Sequence, residues 1–213
     1  MKMKALNTKK MGGTGQSGFT IIELIVVILL LGILTATALP RFLDVTDEAH
    51  QAVVDAVEGG LATGGALFRA AWMAAGQPSS SAVSQFGAQD LYGNTDGYPV
   101  GTGDNVLTDE DDCLAVYNGV LQAGRPAAVE AEYSGTAATL EGNIETAAAA
   151  TTAADFVITG NAATTPTGCI LHYVGQYRSG GVSPADREIQ TLTWVLSGTT
   201  AGNVTEGTFA LEN

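Results

Sequence analysis

The residues with the clearest chemical potential stand at the start of a long apolar run. Glu23 is the single charged residue in the stretch 19–39, FTIIELIVVILLLGILTATAL. A carboxylate costs about 2.5–3.5 kcal/mol at the centre of a membrane helix and less near its end, so it needs a partner. Cleavage of the Gly18–Phe19 peptide bond would create one, because the new α-amino group would lie one helical turn from Glu23. In a bundle of staggered copies, the same amine could neutralise Glu23 of a neighbour.

The apolar run has the length of a membrane-spanning helix. At 1.5 Å per residue, residues 19–39 span about 31 Å, close to the hydrocarbon thickness of a bilayer. The positive-inside rule places the N-terminus in the cytoplasm and exports the chain beyond Pro40. Ala36 and Ala38 could imitate a signal-peptidase site, and a simple signal anchor would have the same hydropathy. All lysines precede the run: Lys2, Lys4, Lys9 and Lys10.

This N-terminus resembles that of type IV pilins. The pattern consists of a short basic leader, the Gly18–Phe19 junction, Thr20, Glu23, an apolar run and Pro40, and it is similar to the class III leader and helix start of that family. The resemblance implies cleavage after Gly18 by a prepilin peptidase, N-methylation of Phe19 and a role for the Glu23 charge in assembly.

The resemblance also implies a domain organisation and a fold. It predicts a leader peptide at 1–18, an N-terminal helix at 19–75 with a transmembrane part at 19–39, and a globular head at 76–213. The expected fold is α+β: a long helix, half membrane-spanning and half amphipathic, packed on an antiparallel-sheet head. We expect a structural subunit and not an enzyme, with no cofactor and no metal.

The expected partners follow from the same resemblance. They are other pilin subunits, the inner membrane, the prepilin peptidase and the pilus assembly machinery, with the head in the periplasm before assembly and the subunit in an extracellular pilus afterwards. The stretch Ala38–Trp72 resembles pilins of the mannose-sensitive haemagglutinin (MSHA) system, which mediate adhesion, and in particular its minor biogenesis pilin. The alternatives are a type II secretion pseudopilin and a membrane-anchored periplasmic binding or enzymatic domain that never polymerises.

An amphipathic helix is predicted after Pro40. Apolar residues recur at roughly helical spacing between acidic ones, which predicts one core-facing side: Phe42, Val45, Ala49, Val53, Ala56, Val57, Leu61, Leu67, Phe68, Ala71 and Trp72. Gly59, Gly60, Gly64 and Gly65 mark either a kink or the close approach of another element. Gly32 and Pro40 are poor helix formers, so we expect the helix to break between them once the subunit is in a filament.

The head is predicted to be rich in loops. A helix starts near Thr108, where Asp109–Asp112 complement the positive end of the helix dipole, and Cys113, Val116, Tyr117 and Val120 share one face. Residues 134–154 and 160–168 are expected to be loops, with a possible helical turn at 147–150. Strands are expected at 127–133, 155–159, 169–177 and 188–196, and the last two form a hairpin.

Cys113 and Cys169 both lie in the exported part, where disulfides persist, and we expect them to pair rather than remain free thiols. The closed loop of about 57 residues would be worth roughly 4 kcal/mol on the chain-entropy model. C-terminal disulfides also staple the heads of the pilins that this chain resembles.

The sequence gives less support to a metal site, to ligand-binding histidines and to a nucleic-acid partner. Asp104, Asn105 and Asp109–Asp112 offer clustered oxygens to calcium but lack EF-hand spacing. His50 and His172 are expected to be packing or surface residues rather than ligands. The formal net charge of −13 disfavours nucleic acid as a partner.

Overall fold

The computed structural model describes residues 18–79, 81–83, 86, 90–103, 106–122, 124–133, 139–140, 142–144, 146, 154–161, 167–175, 188–196 and 201–210. The chain forms two compact units, Met1–Asp47 and Glu48–Asn213. The first contains the apolar run. The second contains the sheet together with the C-terminal part of the long helix.

Helix α1 spans Ile21–Ala74 and is uninterrupted at Gly32 and Pro40. It ends where the backbone turns into the left-handed region, with φ of 86° at Gly76 and 57° at Gln77. The N–H of Gln77 donates to the carbonyl of Trp72 at 3.0 Å, which satisfies a carbonyl that the helix end would otherwise leave free. Glycine at position 76 suits this ending because it has no Cβ to oppose a positive φ.

The head contains a five-stranded sheet in the order β3-β4-β5-β6-β7. Its strands are β3 (Ala128–Glu130), β4 (Phe156–Gly160), β5 (Gly168–Tyr173), β6 (Glu188–Val195) and β7 (Val204–Ala210). The pairs from β4 to β7 are antiparallel, and β5–β6 is the predicted hairpin. β3 pairs parallel to β4, so the sheet is mixed where we expected it to be antiparallel throughout.

Three elements lie between α1 and the five-stranded sheet in the chain. β1 (Tyr92–Gly93) and β2 (Pro99–Gly101) form a two-stranded antiparallel sheet that the sequence did not reveal. Helix α2 spans Glu110–Val120, and its N-cap is Asp109, one residue after the predicted start. The predicted face of Cys113, Val116, Tyr117 and Val120 is buried.

The loop predicted at 134–154 is partly wrong. Residues 139, 140, 142–144 and 146 are helical. Leu140 and Ile144 are buried there with Val157, Val174 and Ile189 against one face of the sheet. Apolar residues spaced four apart can bury one side of a short helix even in an Ala- and Thr-rich stretch. The turn suggested at 147–150 lies outside the described residues.

The main core lies between α1, α2 and the other face of the sheet. The α1 residues that enter it are Val54, Val57, Leu61, Phe68 and Trp72. The prediction of which side of this helix faces the core was partly wrong. Val45 and Leu67 are about 60% exposed, and Ala49 and Ala56 are exposed as well. Ala and Val lie on both sides of the buried stripe of α1. The positions of apolar residues alone therefore did not show which side of the helix is buried. The predicted Phe42 side chain lies outside the described residues.

Gly60, Gly64 and Gly65 of α1 mark the close approach of other elements. A Cβ on Gly64 would lie 2.4 Å from Val120 Cγ1 and 3.0 Å from the Val120 carbonyl oxygen. One on Gly65 would lie 2.9 Å from the Trp194 ring, and one on Gly60 2.7 Å from Leu121. Gly59 has open space instead, with no atom within 4 Å. Three of the four glycines therefore let α2 and the sheet approach the α1 backbone.

Candidate functional site

The start of α1 is a capping box formed by Thr20 and Glu23. Glu23 Oε2 accepts hydrogen bonds from the Thr20 N–H at 2.9 Å and from its Oγ1 at 3.0 Å, while the Glu23 N–H donates to Thr20 Oγ1 at 3.3 Å. These bonds satisfy N–H groups that the helix start leaves without intrahelical partners. This capping role was not predicted, although Thr-x-x-Glu before an apolar run is its sequence signature.

The predicted processing junction lies immediately before this box. Gly18 and Phe19 precede the first helical residue, Ile21. Phe19 is 91% exposed, and no atom lies within 4 Å of the Cβ position of Gly18. An exposed, non-helical peptide bond next to a residue without a side chain can enter a narrow protease site. The geometry is compatible with cleavage between the two residues.

The apolar half of α1 has the dimensions of a membrane span. Ile21–Leu39 is long and apolar enough, with a mean hydropathy of 2.7, and none of it is buried. The exposed side chains include Leu24, Ile28 and Leu31. A helix with so much exposed apolar surface is expected to be covered by lipid or by other apolar helices. A signal sequence near the N-terminus can have the same length and apolar composition.

Two threonines near the end of this span donate hydrogen bonds to helix carbonyls. Thr35 Oγ1 donates to the Leu31 carbonyl at 2.6 Å, and Thr37 Oγ1 donates to the Leu34 carbonyl at 3.0 Å. In an apolar environment these bonds satisfy the hydroxyl groups within the helix. The Leu34 carbonyl that Thr37 bonds lies between Gly32 and Pro40, where we expect the helix to break on assembly.

The expected disulfide is present. Cys113 of α2 and Cys169 of β5 are bonded, with their Cα atoms 5.6 Å apart, and both are buried in the main core. The bond closes a loop with a sequence separation of 56 residues, worth roughly 4 kcal/mol by loss of unfolded-chain entropy. It ties α2 directly to the centre of the sheet.

The two histidines have packing roles. His50 Nδ1 lies 2.7 Å from the Tyr173 hydroxyl, and its ring is tilted against that of Tyr173. His172 is buried, with Nε2 3.1 Å from Thr159 Oγ1, and burial lowers its pKa to about 4. The pKa of Tyr173 is raised, mainly by burial and further by Asp155.

Three acidic residues at the start of α2 accept hydrogen bonds from N–H or hydroxyl groups, and Asp109 among them is the N-cap of the helix. Asp109 accepts from the Asp112 N–H, and Asp112 Oδ2 accepts from the Thr108 N–H and hydroxyl at 2.9 and 2.8 Å. Glu110 accepts from the Tyr133 N–H at 2.6 Å. Within the described ranges, no three His, Cys, Asp or Glu side chains come together as metal ligands. Asp104 and Asn105, part of the calcium hypothesis, lie outside those ranges.

Comparisons with known proteins agree with the N-terminal pattern. Residues 13–39 match the family described as "Prokaryotic N-terminal methylation motif". The chain is also 64% identical over 39 residues to the type IV narrow pilus major component PilA5 of Thermus thermophilus, which is 18% of this chain and 34% of that protein. The chain thus spans about a third of the length of this curated relative. No solved structure matches.

The match covers the segment that holds Gly18, Phe19 and the Thr20–Glu23 capping box. The remainder of the chain supplies a long helix followed by an α+β arrangement like that of a pilin. This chain therefore carries the type IV pilin N-terminal methylation motif, at the start of an exposed apolar helix that leads into a disulfide-bonded α+β head.

Proposed function

We propose that the chain is a structural subunit of a type IV pilus. It enters the inner membrane as a precursor with the head in the periplasm, a prepilin peptidase cuts it between Gly18 and Phe19, and Phe19 is N-methylated. The assembly machinery then polymerises it with other pilin subunits through α1. Filaments formed in this way lie outside the cell.

One observation carries the proposal: an exposed apolar helix begins with a carboxylate held at its first turn. Glu23 accepts two hydrogen bonds from Thr20, so the carboxylate is fixed at the helix start rather than free along the span. A plain membrane anchor could cap this helix with an uncharged Gln, so it does not need a charge that carries an insertion cost. A bundle of copies does gain, because Glu23 of one chain can pair with the Phe19 amine of another.

We also propose membership of the MSHA type, as a minor pilin that serves surface attachment. The support is the resemblance of Ala38–Trp72 to pilins of that system. The experiment is quantitative mass spectrometry of sheared surface filaments. A copy number far below that of another pilin in the same filaments supports the minor role, and a dominant copy number contradicts it.

The test of the filament function separates the charge of Glu23 from its capping role. Gln at N3 completes a capping box as Glu does, so Glu23→Gln keeps the helix start and removes the charge. Glu23→Ala removes both. We expect both variants to remain in the membrane at the wild-type level and to be depleted from sheared filaments. Glu48→Gln, at an exposed α1 position outside the apolar span, is the matched control and should assemble normally.

Filaments that contain Glu23→Gln at the wild-type level would show that capping suffices and that the charge has no role in assembly. A wild-type chain that stays in the membrane under conditions where filaments form would contradict the filament function itself.

A further inference from the structure

An apolar groove with a cationic rim runs along one side of α1 in the head. It measures about 450 Å³. Ala52, Val53 and Ala56 of α1 form one wall, and Leu121, Arg125 and Pro126, which follow α2, form part of the other. Ala52 and Ala56 are exposed, and Val53 is only half-buried. We call this surface the Arg125 groove.

Arg125 is held in place at the rim. Its Nε donates to Asn118 Oδ1 at 2.9 Å, and Nη1 lies 3.4 Å from the Leu121 carbonyl oxygen. Both acceptors are neutral, so these contacts orient the guanidinium without cancelling its charge. A guanidinium fixed in this way is prepared for a carboxylate, which it can bind through two parallel hydrogen bonds.

Carboxylates crowd the other side of the same helix. Gln51 Nε2 donates to Asp55 Oδ1 at 2.8 Å and to Glu206 Oε1 of β7 at 3.4 Å, which brings the two acids together. Glu206 is exposed, and its pKa is raised first by partial desolvation of the carboxyl group and then by the charges of Glu58 and Asp55. We call Asp55, Glu58 and Glu206 the acidic flank. A cation placed beside it would relieve this repulsion.

The two surfaces lie on opposite sides of the buried stripe of α1. Val54, Val57 and Leu61 point into the core. At 100° per residue, positions 55 and 58 fall on average about a quarter turn to one side of that stripe, position 53 falls to the other side, and positions 52 and 56 lie on the face opposite the stripe. One subunit therefore presents the Arg125 groove and the acidic flank in different directions, and neither can satisfy the other within the chain.

We propose that the Arg125 groove docks the acidic flank of a second copy of this chain, an inference that rests on the proposed filament function. The charges are complementary, and the contact joins two different patches. Such a heterologous contact repeats from copy to copy and builds rings or open helical filaments, whereas contacts between identical patches close at a dimer. The predominantly acidic chain makes a guanidinium at this rim the attractive point for a neighbour's carboxylates.

The experiment is a charge swap in the full-length subunit, read as the amount in sheared filaments relative to the membrane pool. Arg125→Glu places like charges against each other across the contact, so we expect the amount in filaments to fall at least about tenfold. Asp55→Arg should also lower assembly. Combining the two places a cation at position 55 opposite an anion at position 125 while Glu58 and Glu206 remain, so assembly should recover in part. The membrane pool, checked for protease resistance, reports whether each variant folds.

Arg69→Glu is the matched control, because it makes the same charge change at an Arg that contacts Tyr98 instead of the groove. It should assemble near the wild-type level. Normal assembly of Arg125→Glu, an equal loss in Arg69→Glu, or no recovery in the double variant would each overturn the inference while leaving the filament function standing. Absence of the wild-type subunit from filaments would overturn both.

Discussion

At the scale of single residues, burial favours the neutral form of His172. His172 is 1% exposed in the middle of the sheet, between Val157 of β4 and Thr191 of β6. Its Nε2 meets the hydroxyl of Thr159, which is also fully buried. Burial penalises the imidazolium form, and this is the cause of the pKa of about 4.

This burial predicts an acid-sensitive head. The pKa of His172 is lower in the folded chain than in the unfolded one, near 6.5, so the unfolded chain binds the proton first as the pH falls. The contribution of His172 to stability is complete above pH 6.5 and declines by about 3 kcal/mol as the pH falls towards about 4. Denaturation of the detergent-solubilised chain, followed by the fluorescence of buried Trp72 and Trp194, measures it.

The control is His172→Gln, which cannot titrate in this range. Carboxylates titrate in both proteins, so the difference between the two curves isolates the imidazole. Parallel curves between pH 6.5 and pH 4 would show that His172 carries no such penalty.

At the scale of elements, the packing of α1 against α2 depends on missing side chains. Gly64→Ala would bring a Cβ within 3.0 Å of the Val120 backbone oxygen, which cannot move as a side-chain end can. We expect a loss of about 1–3 kcal/mol in the free energy of unfolding. Gly59→Ala, on the same helix with open space around it, should instead stabilise by up to about 1 kcal/mol. Chemical denaturation of the two variants measures both changes, and effects of the same sign would contradict this packing.

The elements differ in how well the sequence predicts them. β4, β5 and β6 are rich in β-branched and aromatic residues because they lie inside the sheet, and they were found. β7, Val204–Ala210, was missed because an edge strand carries exposed Thr205, Glu206 and Gly207, which lack the pattern of a buried strand. The parallel pairing of β3 was also hidden, since three residues give no sign of their partner's direction.

The candidate site was predictable for a different reason. A glycine before the junction, a carboxylate in an apolar run and the lysines before it are local features of the sequence, and they match a known motif at residues 13–39. The Arg125 groove has no local signal. It forms because α1 meets the segment after α2, residues more than sixty positions away in the chain.

At the scale of the whole molecule, assembly and folding make different demands on α1. In a bilayer the segment between Gly32 and Pro40 must keep its backbone hydrogen bonds, since no water replaces them, and here it is helical throughout. In a filament, neighbouring chains and the hydroxyls of Thr35 and Thr37 can compensate for lost bonds. We therefore expect a non-helical stretch within 32–40 in a filament reconstruction. A map with unbroken helix from Gly32 to Pro40 would refute this expectation.

The central claim is that a precursor is trimmed at the start of its apolar helix and then polymerised. The most direct measurement is the intact mass of the subunit recovered from sheared surface filaments, with fragmentation of its N-terminal peptide. Our account predicts a chain that begins at Phe19, is one methyl group heavier than the unmodified chain and retains the Cys113–Cys169 bond. A chain that begins near Leu39 or Pro40 would identify an ordinary cleaved signal and contradict the account, as would a subunit that keeps residues 1–18.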